Sequence, residues 1–157
     1  MTDFQKGTKA PDFTLGNFTL SQELKKSPLL LTFYKKTCPT CQFTYPFLER
    51  LHKKFTSPAF KIVGIGQDPE TKEFSTQMGV TFPLISDTPT YEVSRQYHLT
   101  TVPALFLIQQ DRTIDFVTVG FSKEDLENLS QKISKLTAQT SFDIFSKGDN
   151  VPALKPG

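Results

Sequence analysis

The sequence predicts an α/β domain in which a central mixed β-sheet carries helices on both faces, with an N-terminal hairpin and a strand–helix insert in the middle. Three observations predict it. Leu29–Tyr34, Lys61–Gly66 and Ala104–Ile108 are largely apolar runs of strand length without alternation, the pattern of strands buried on both faces. The segments between them space their apolar residues at the helical period. Ile114–Val119 alternates instead, as a half-solvated antiparallel strand does.

Taken in order, residues 13–20 read as a short hairpin, Phe13-Thr14-Leu15 and Phe18-Thr19-Leu20 about a Gly16-Asn17 turn, followed by a short helix from Ser21 that stops before Pro28. After the Leu29–Tyr34 strand the period changes near Thr40. Phe47, Leu48, Leu51 and Phe55 share one helical face, while Glu49, Arg50, Lys53 and Lys54 take the solvated one. Past the Lys61–Gly66 strand, Asp68-Pro69-Glu70 reads as a helix start with Asp68 as N-cap and Pro69 at the first helical position. A short strand is expected at Phe82-Pro83-Leu84-Ile85 and a short helix from Tyr91 to Tyr97. Pro103 opens the third apolar strand, and a turn at Gln110-Asp111-Arg112 returns the chain along Ile114–Val119. Ser122 and Asp125 form a capping box for a last helix with the stripe Leu126, Leu129, Ile133 and Leu136. One domain over residues 1–137 is therefore expected. Residues 138–157, with Gly, Pro, Ser and Asn among them, are expected as a loosely docked tail.

The chain has 157 residues, enough to bury roughly two thirds of its unfolded surface and to build a core without staples. Hydrophobic residues make up 37% and charged residues 22%, which is globular composition and excludes a disordered chain. No apolar run approaches a membrane-spanning length. The net charge of +2 is too small to argue for nucleic acid, and the Lys25-Lys26, Lys35-Lys36 and Lys53-Lys54 pairs read as solvated surface. The first residues lack an apolar stretch of signal-peptide type, so the chain is expected in the cytoplasm if complete as given and outside it if a leader has been removed.

The two cysteines fall in one tetrapeptide, Cys38-Pro39-Thr40-Cys41, which ties together a single turn of chain and cannot frame a fold. Its position gives it chemistry. A strand ends at Tyr34 and a helix begins near Cys38, so the Cys38 sulfur meets the unpaired N–H groups and positive dipole end of that helix. A thiol so placed is expected to fall from a pKa of ~8.5 into the range ~3.5–7.5. Lys35 and Lys36 add to this field if their side chains reach the sulfur. Cys41 lies one turn inside, close enough to attack a mixed disulfide at Cys38, and an exposed acidic thiol beside a shielded resolving thiol is what dithiol–disulfide exchange requires. Zinc would need two more ligands; only His52 and His98 are on offer, and their spacing matches no finger or ribbon, so no metal or other cofactor is expected. A purely structural disulfide would gain little by closing so short a loop.

A strand leading into Cys-x-x-Cys at a helix start, Pro46 five residues after the second cysteine, and Val102-Pro103 before a strand together resemble the thioredoxin-fold proteins, over roughly residues 7–136. Ala10-Pro11-Asp12-Phe13-Thr14-Leu15 and the insert between residues 56 and 90 are similar to the TlpA-like and peroxiredoxin (AhpC/TSA) branch. The resemblance implies a thioredoxin-like fold and a thiol-disulfide oxidoreductase in which Cys38 attacks, Cys41 resolves, and Pro103 is a cis proline facing them. The Val102 backbone is then turned outward to pair with an extended substrate segment, with Thr37, Pro39 and Thr40 beside it. Protein disulfides or dithiols, and an upstream thiol reductant or oxidant, are the implied partners of a monomer. Three departures from the family pattern stand out. Thr37 replaces the usual Trp. Gly66-Gln67-Asp68 stands where relatives carry a Glu, with Asp68 assigned as a cap. A peroxiredoxin pattern would put Cys41 in the peroxidatic position and Cys38 where its Thr belongs, with Arg95 and Arg112 the nearest arginines in sequence. A peroxiredoxin-like thiol peroxidase is the alternative enzyme, and a redox-inactive binding module using the Pro103 edge is the alternative outside catalysis.

Overall fold

A computed structural model describes residues 2–157. The chain runs β1 (Thr14–Leu15), β2 (Phe18–Thr19), α1 (Leu20–Leu24), β3 (Leu29–Tyr34), α2 (Pro39–Phe55), β4 (Lys61–Gly66), α3 (Lys72–Met78), β5 (Leu84–Ser86), α4 (Glu92–Gln96), β6 (Ala104–Ile108), β7 (Ile114–Val119), β8 (Phe121–Ser122), α5 (Lys123–Leu136), a 3-10 turn (Lys147–Asp149) and β9 (Leu154–Lys155). Five strands form the central sheet in the order β5-β4-β3-β6-β7; β3, β4 and β5 are parallel neighbours, β6 pairs antiparallel with β3, and β7 pairs antiparallel with β6. This is the α/β thioredoxin-like architecture expected from the sequence.

Every residue of β3 is buried, because its pleat feeds two cores at once. Leu30 and Tyr34 face one side, in register with Ile62 on β4 and Leu107 on β6, and meet Leu48, Leu51 and Phe55 of α2 and Leu126, Leu129 and Ile133 of α5. Leu29, Leu31 and Phe33 face the other side with Val63, Ile65, Phe106 and Ile108, under Leu20 and Leu24 of α1 and Val93 of α4. The aromatic richness of the sequence is spent here. Tyr97 packs against Phe13, Phe33 and Phe106 on one side, and Tyr34 stacks on Phe74 at 4.3 Å on the other. The start of α4 is held by Asp87, a buried carboxylate that accepts the Val93 and Ser94 N–H groups.

Two polar assignments made from periodicity are corrected. Glu49 does not join the solvated face of α2. It is buried, and its carboxylate accepts the Thr81 N–H at 2.8 Å and the Thr81 hydroxyl at 2.7 Å, because the loop before β5 folds over that side of the helix. Asp68 does not cap α3. That helix starts later, at Lys72, where the Glu70 carboxylate takes the Lys72 and Glu73 N–H groups. Asp68 instead accepts the Lys36 N–H at 2.6 Å, drawn to the turn after β3. At α5, Ser122 accepts the Asp125 N–H as expected, and the Asp125 carboxylate turns to the Thr118 hydroxyl at 2.6 Å.

Residues 138–157 cross the outside of α2 and α5. Ile144 is buried, and the Phe142 carbonyl accepts from Ser130 at 2.7 Å. Arg50 donates to the Ile144 carbonyl and holds Asp149 through two nitrogens at 2.7 and 2.9 Å. That guanidinium holds the Asp149 carboxyl well below the usual carboxylate range. A carboxyl so depressed contributes its full share above the ordinary carboxylate pKa and loses it as the pH falls toward its own lowered value. Asp149→Asn should therefore speed limited proteolysis within residues 138–157 at neutral pH without unfolding the sheet. The same segment of the native chain should loosen only in strong acid, which proteolysis by pepsin across a pH series would show.

Candidate functional site

The site begins with the end of β3. Tyr34 closes the strand, Lys35 and Lys36 turn, and α2 starts at Pro39, whose missing N–H costs nothing at the first helical position. The turn is stiffened at three points. The Cys38 N–H donates to the Lys35 carbonyl at 3.0 Å, the Gln42 amide to the Lys36 carbonyl at 2.8 Å, and the Lys36 N–H to Asp68. Cys38 is thereby the N-cap residue of α2, and its sulfur accepts the Cys41 N–H at 3.1 Å. The positive end of a 17-residue helix faces that sulfur.

The two thiols differ in access. Both are free in this structure; Cys38 is half-buried and Cys41 fully buried. Burial, followed by the hydrogen bond to Cys38, pushes the Cys41 thiol far above the usual thiol range. Behind it lie Tyr45, which exchanges hydroxyl contacts with Thr32, and Tyr34, whose buried hydroxyl has no hydrogen-bond partner among the described residues. The negative charge of Asp68 acts on Cys41 in the same upward direction.

Across from Cys38 stands the start of β6. The Val102–Pro103 bond is cis, and the Val102 carbonyl accepts from the Cys38 sulfur at 3.4 Å. A second cis bond, Thr88–Pro89, was not anticipated; no chemical motif in the sequence accompanies it. Cys38, Pro39, Lys35, Leu99, Val102 and Gly157 contribute to the walls of an open cleft of about 440 Å³. The structure thus brings Cys38, Cys41, Val102, Pro103 and Pro39 together. Thr37 is exposed on the turn and does not line the cleft, and Thr40 is buried with its hydroxyl donated to the Pro156 carbonyl at 2.6 Å. Lys36 pairs with Glu73, leaving Lys35 as the lysine of the cleft wall.

Neither arginine lines this cleft. Arg112 lies in the β6–β7 turn, where its carbonyl accepts from Ala10, and the exposed Arg95 of α4 lines a neighbouring hollow with Asp3 and His98, which shares Leu99 and Thr100 with the cleft. His98 faces Asp3 at 3.2 Å and His52 bonds Thr56 at 2.6 Å, so each histidine has a local partner away from the dithiol. Among the described residues no cluster of His, Cys, Asp and Glu could hold a metal ion, and no helix is long and apolar enough to cross a membrane. Sequence reading missed Asp68, Leu99 and Gly157. Asp68 reads as a cap in the sequence because the adjacent Pro69 marks a helix start.

The difference in access predicts the order of modification. Iodoacetamide on the reduced chain at neutral pH should label Cys38 first, and Cys38→Ser should leave Cys41 unlabelled over the same period. Faster labelling of Cys41 would contradict the geometry.

The model of the AhpC/TSA family matches residues 6–117. Thioredoxin-like protein YneN of Bacillus subtilis is 24% identical over 134 residues, covering 78% of this chain and 77% of its own. Among solved structures, a Chlorobium tepidum protein provisionally named thiol:disulfide interchange protein DsbE superposes with a TM-score of 0.75 at 29% identity, over 86% of this chain and 99% of that one. Peroxidoxin BcpB from Mycobacterium tuberculosis superposes with a TM-score of 0.70 at 25% identity, over 88% of this chain and 99% of its own. The family match spans more than two thirds of the sequence and includes the strand, the dithiol turn and the proline edge just described, so the chain belongs to the AhpC/TSA family and carries its thioredoxin-like fold.

Proposed function

We propose that this thioredoxin-fold oxidoreductase exchanges disulfides with protein substrates, with Cys38 as the attacking thiol and Cys41 as the resolving one. The observation that carries the reading is the asymmetric pair: a half-buried sulfur capping α2, a fully buried sulfur one turn behind it, and the Val102 carbonyl 3.4 Å in front. Both thiols lie on one turn, so a single copy of the chain is sufficient.

In the reducing direction the Cys38 thiolate attacks one sulfur of the substrate disulfide. That S–S bond breaks, its other sulfur leaves as a thiolate and takes a proton, and a mixed disulfide to Cys38 remains. Cys41 then loses its proton and attacks the Cys38 sulfur; the Cys38–Cys41 disulfide forms and the second substrate thiol departs. Two electrons have passed to the substrate, and an upstream thiol reductant returns the pair to the dithiol. An upstream oxidant would drive the same steps backward. The Val102 backbone, whose carbonyl lies beside the Cys38 sulfur at the cleft, supports docking of an extended segment by strand addition. Pro39 contributes to the cleft wall beside Cys38; Thr37 precedes the motif and Thr40 lies within it, and neither lines that cleft. The raised Cys41 thiol makes its deprotonation the demanding step, and Asp68 is the carboxylate whose charge reaches it.

Peroxidase chemistry has weaker support. The family's peroxidatic position falls on Cys41, which is fully buried, and neither Arg95 nor Arg112 lines the cleft to hold a peroxide oxygen. Losing one fixed donor to a developing oxyanion costs about 10²–10³ in rate. A redox-inactive module would have no use for two thiols of such unequal access.

The chain should catalyse reduction of insulin disulfides by dithiothreitol. Cys41→Ser should accumulate mixed disulfides with substrate, and Cys38→Ser should form none. Hydrogen peroxide consumption should stay near that of a simple thiolate. Fast peroxide turnover with a sulfenate on Cys41 and no insulin reduction would replace this reading with the peroxidase.

A further inference from the structure

The end of the described chain returns to the dithiol. β9 pairs with β8 in the register Phe121↔Lys155 and Ser122↔Leu154, and the Lys123 N–H donates to the Ala153 carbonyl at 2.9 Å. The Lys155 ammonium lies 5.3 Å over the Phe43 ring. Gly120, at φ +76°, lets the strap approach, since a Cβ there would meet the Lys155 carbonyl at 2.9 Å. Beyond β9 the Thr40 hydroxyl donates to the Pro156 carbonyl at 2.6 Å. Gly157 then lies against the Val102 carbonyl so closely that a Cβ on it would collide with that oxygen. This is the oxygen that the Cys38 sulfur also contacts, at 3.4 Å.

We propose that Leu154–Gly157 is an access strap that determines which disulfides reach Cys38. It occupies the backbone edge on which a protein segment would dock, so small disulfides enter while a bulky protein surface must first displace it. The strap is built to be displaced. Its ladder is two residues long, and Leu154, Pro156 and Gly157 are all exposed, so few buried contacts hold it down. The functional meaning rests on the disulfide-exchange reading above; the occlusion itself does not.

The test uses the reduced full chain, with two reagents of unequal size on Cys38: iodoacetamide, and a maleimide carrying a long polyethylene glycol chain. Gly157→Leu places a side chain where the Val102 carbonyl leaves no room. Lys155→Pro removes a ladder N–H and the ammonium–ring contact. In each variant the bulky reagent should label Cys38 about fivefold faster than in the native chain, the gain when a site closed about four-fifths of the time is opened. The iodoacetamide rate should stay within about twofold, because neither substitution alters the Cys41 N–H or the Val102 carbonyl that the sulfur contacts. A ratio of bulky to small labelling that is unchanged in either variant, with the native melting transition retained, would overturn the strap. Insulin turnover by the native chain is read in parallel. Its absence would remove the disulfide-exchange reading, while the labelling ratio still decides the strap.

Discussion

The site depends on the burial of β3. A strand whose six side chains are all enclosed cannot slide or tilt without opening a core on one face or the other, so the point at which it ends is fixed. That end delivers the chain into the first turn of α2, and a helix start is where unpaired N–H groups gather. The sulfur of Cys38 answers them as a capping side chain, accepting the Cys41 N–H. One geometric fact thus sets the orientation of the Cys38 sulfur and sends Cys41 inward to the core, where burial raises its thiol. The sheet supplies the rest. β6 is the antiparallel neighbour of β3, with Ala104 opposite Phe33, and this register brings Val102 up to the sulfur.

Much of this was legible in the chain. Apolar runs without alternation at Leu29–Tyr34 and Ala104–Ile108 identify strands flanked by cover on both faces, and each occurs as expected. The change of period at the tetrapeptide located the helix start to within a residue. The hairpin at Gly16-Asn17 followed from turn chemistry alone, and its ladder pairs Leu15 with Phe18. These readings succeed because they rest on neighbours within a few residues.

The misses share the opposite property. Glu49 looks like a surface residue at its helical position, and only Thr81, thirty-two residues away, makes it a buried acceptor. Asp68 carries the local signature of a cap, yet Lys36, also thirty-two residues away, takes its carboxylate. Gly157 has no local signature at all, since what gives it a role is the Val102 carbonyl against which the fold lays it. A polar side chain or a glycine in irregular backbone is assigned by its long-range partner, and periodicity contains no information about that partner. The chemistry was readable where it was local, in four consecutive residues, and unreadable where residues 138–157 reach back across α2.

Cys38 and Cys41 are proposed to form one reversible two-electron couple. It is tested most directly by equilibrating the full chain against a graded series of oxidised and reduced dithiothreitol and counting alkylated thiols by mass. Both thiols should disappear together in a single transition, with a slope of about 30 mV per tenfold change in ratio, and no such intramolecular transition should occur in Cys38→Ser or Cys41→Ser. Two thiols that stay free across the whole series, or that oxidise only to links between chains, would contradict it.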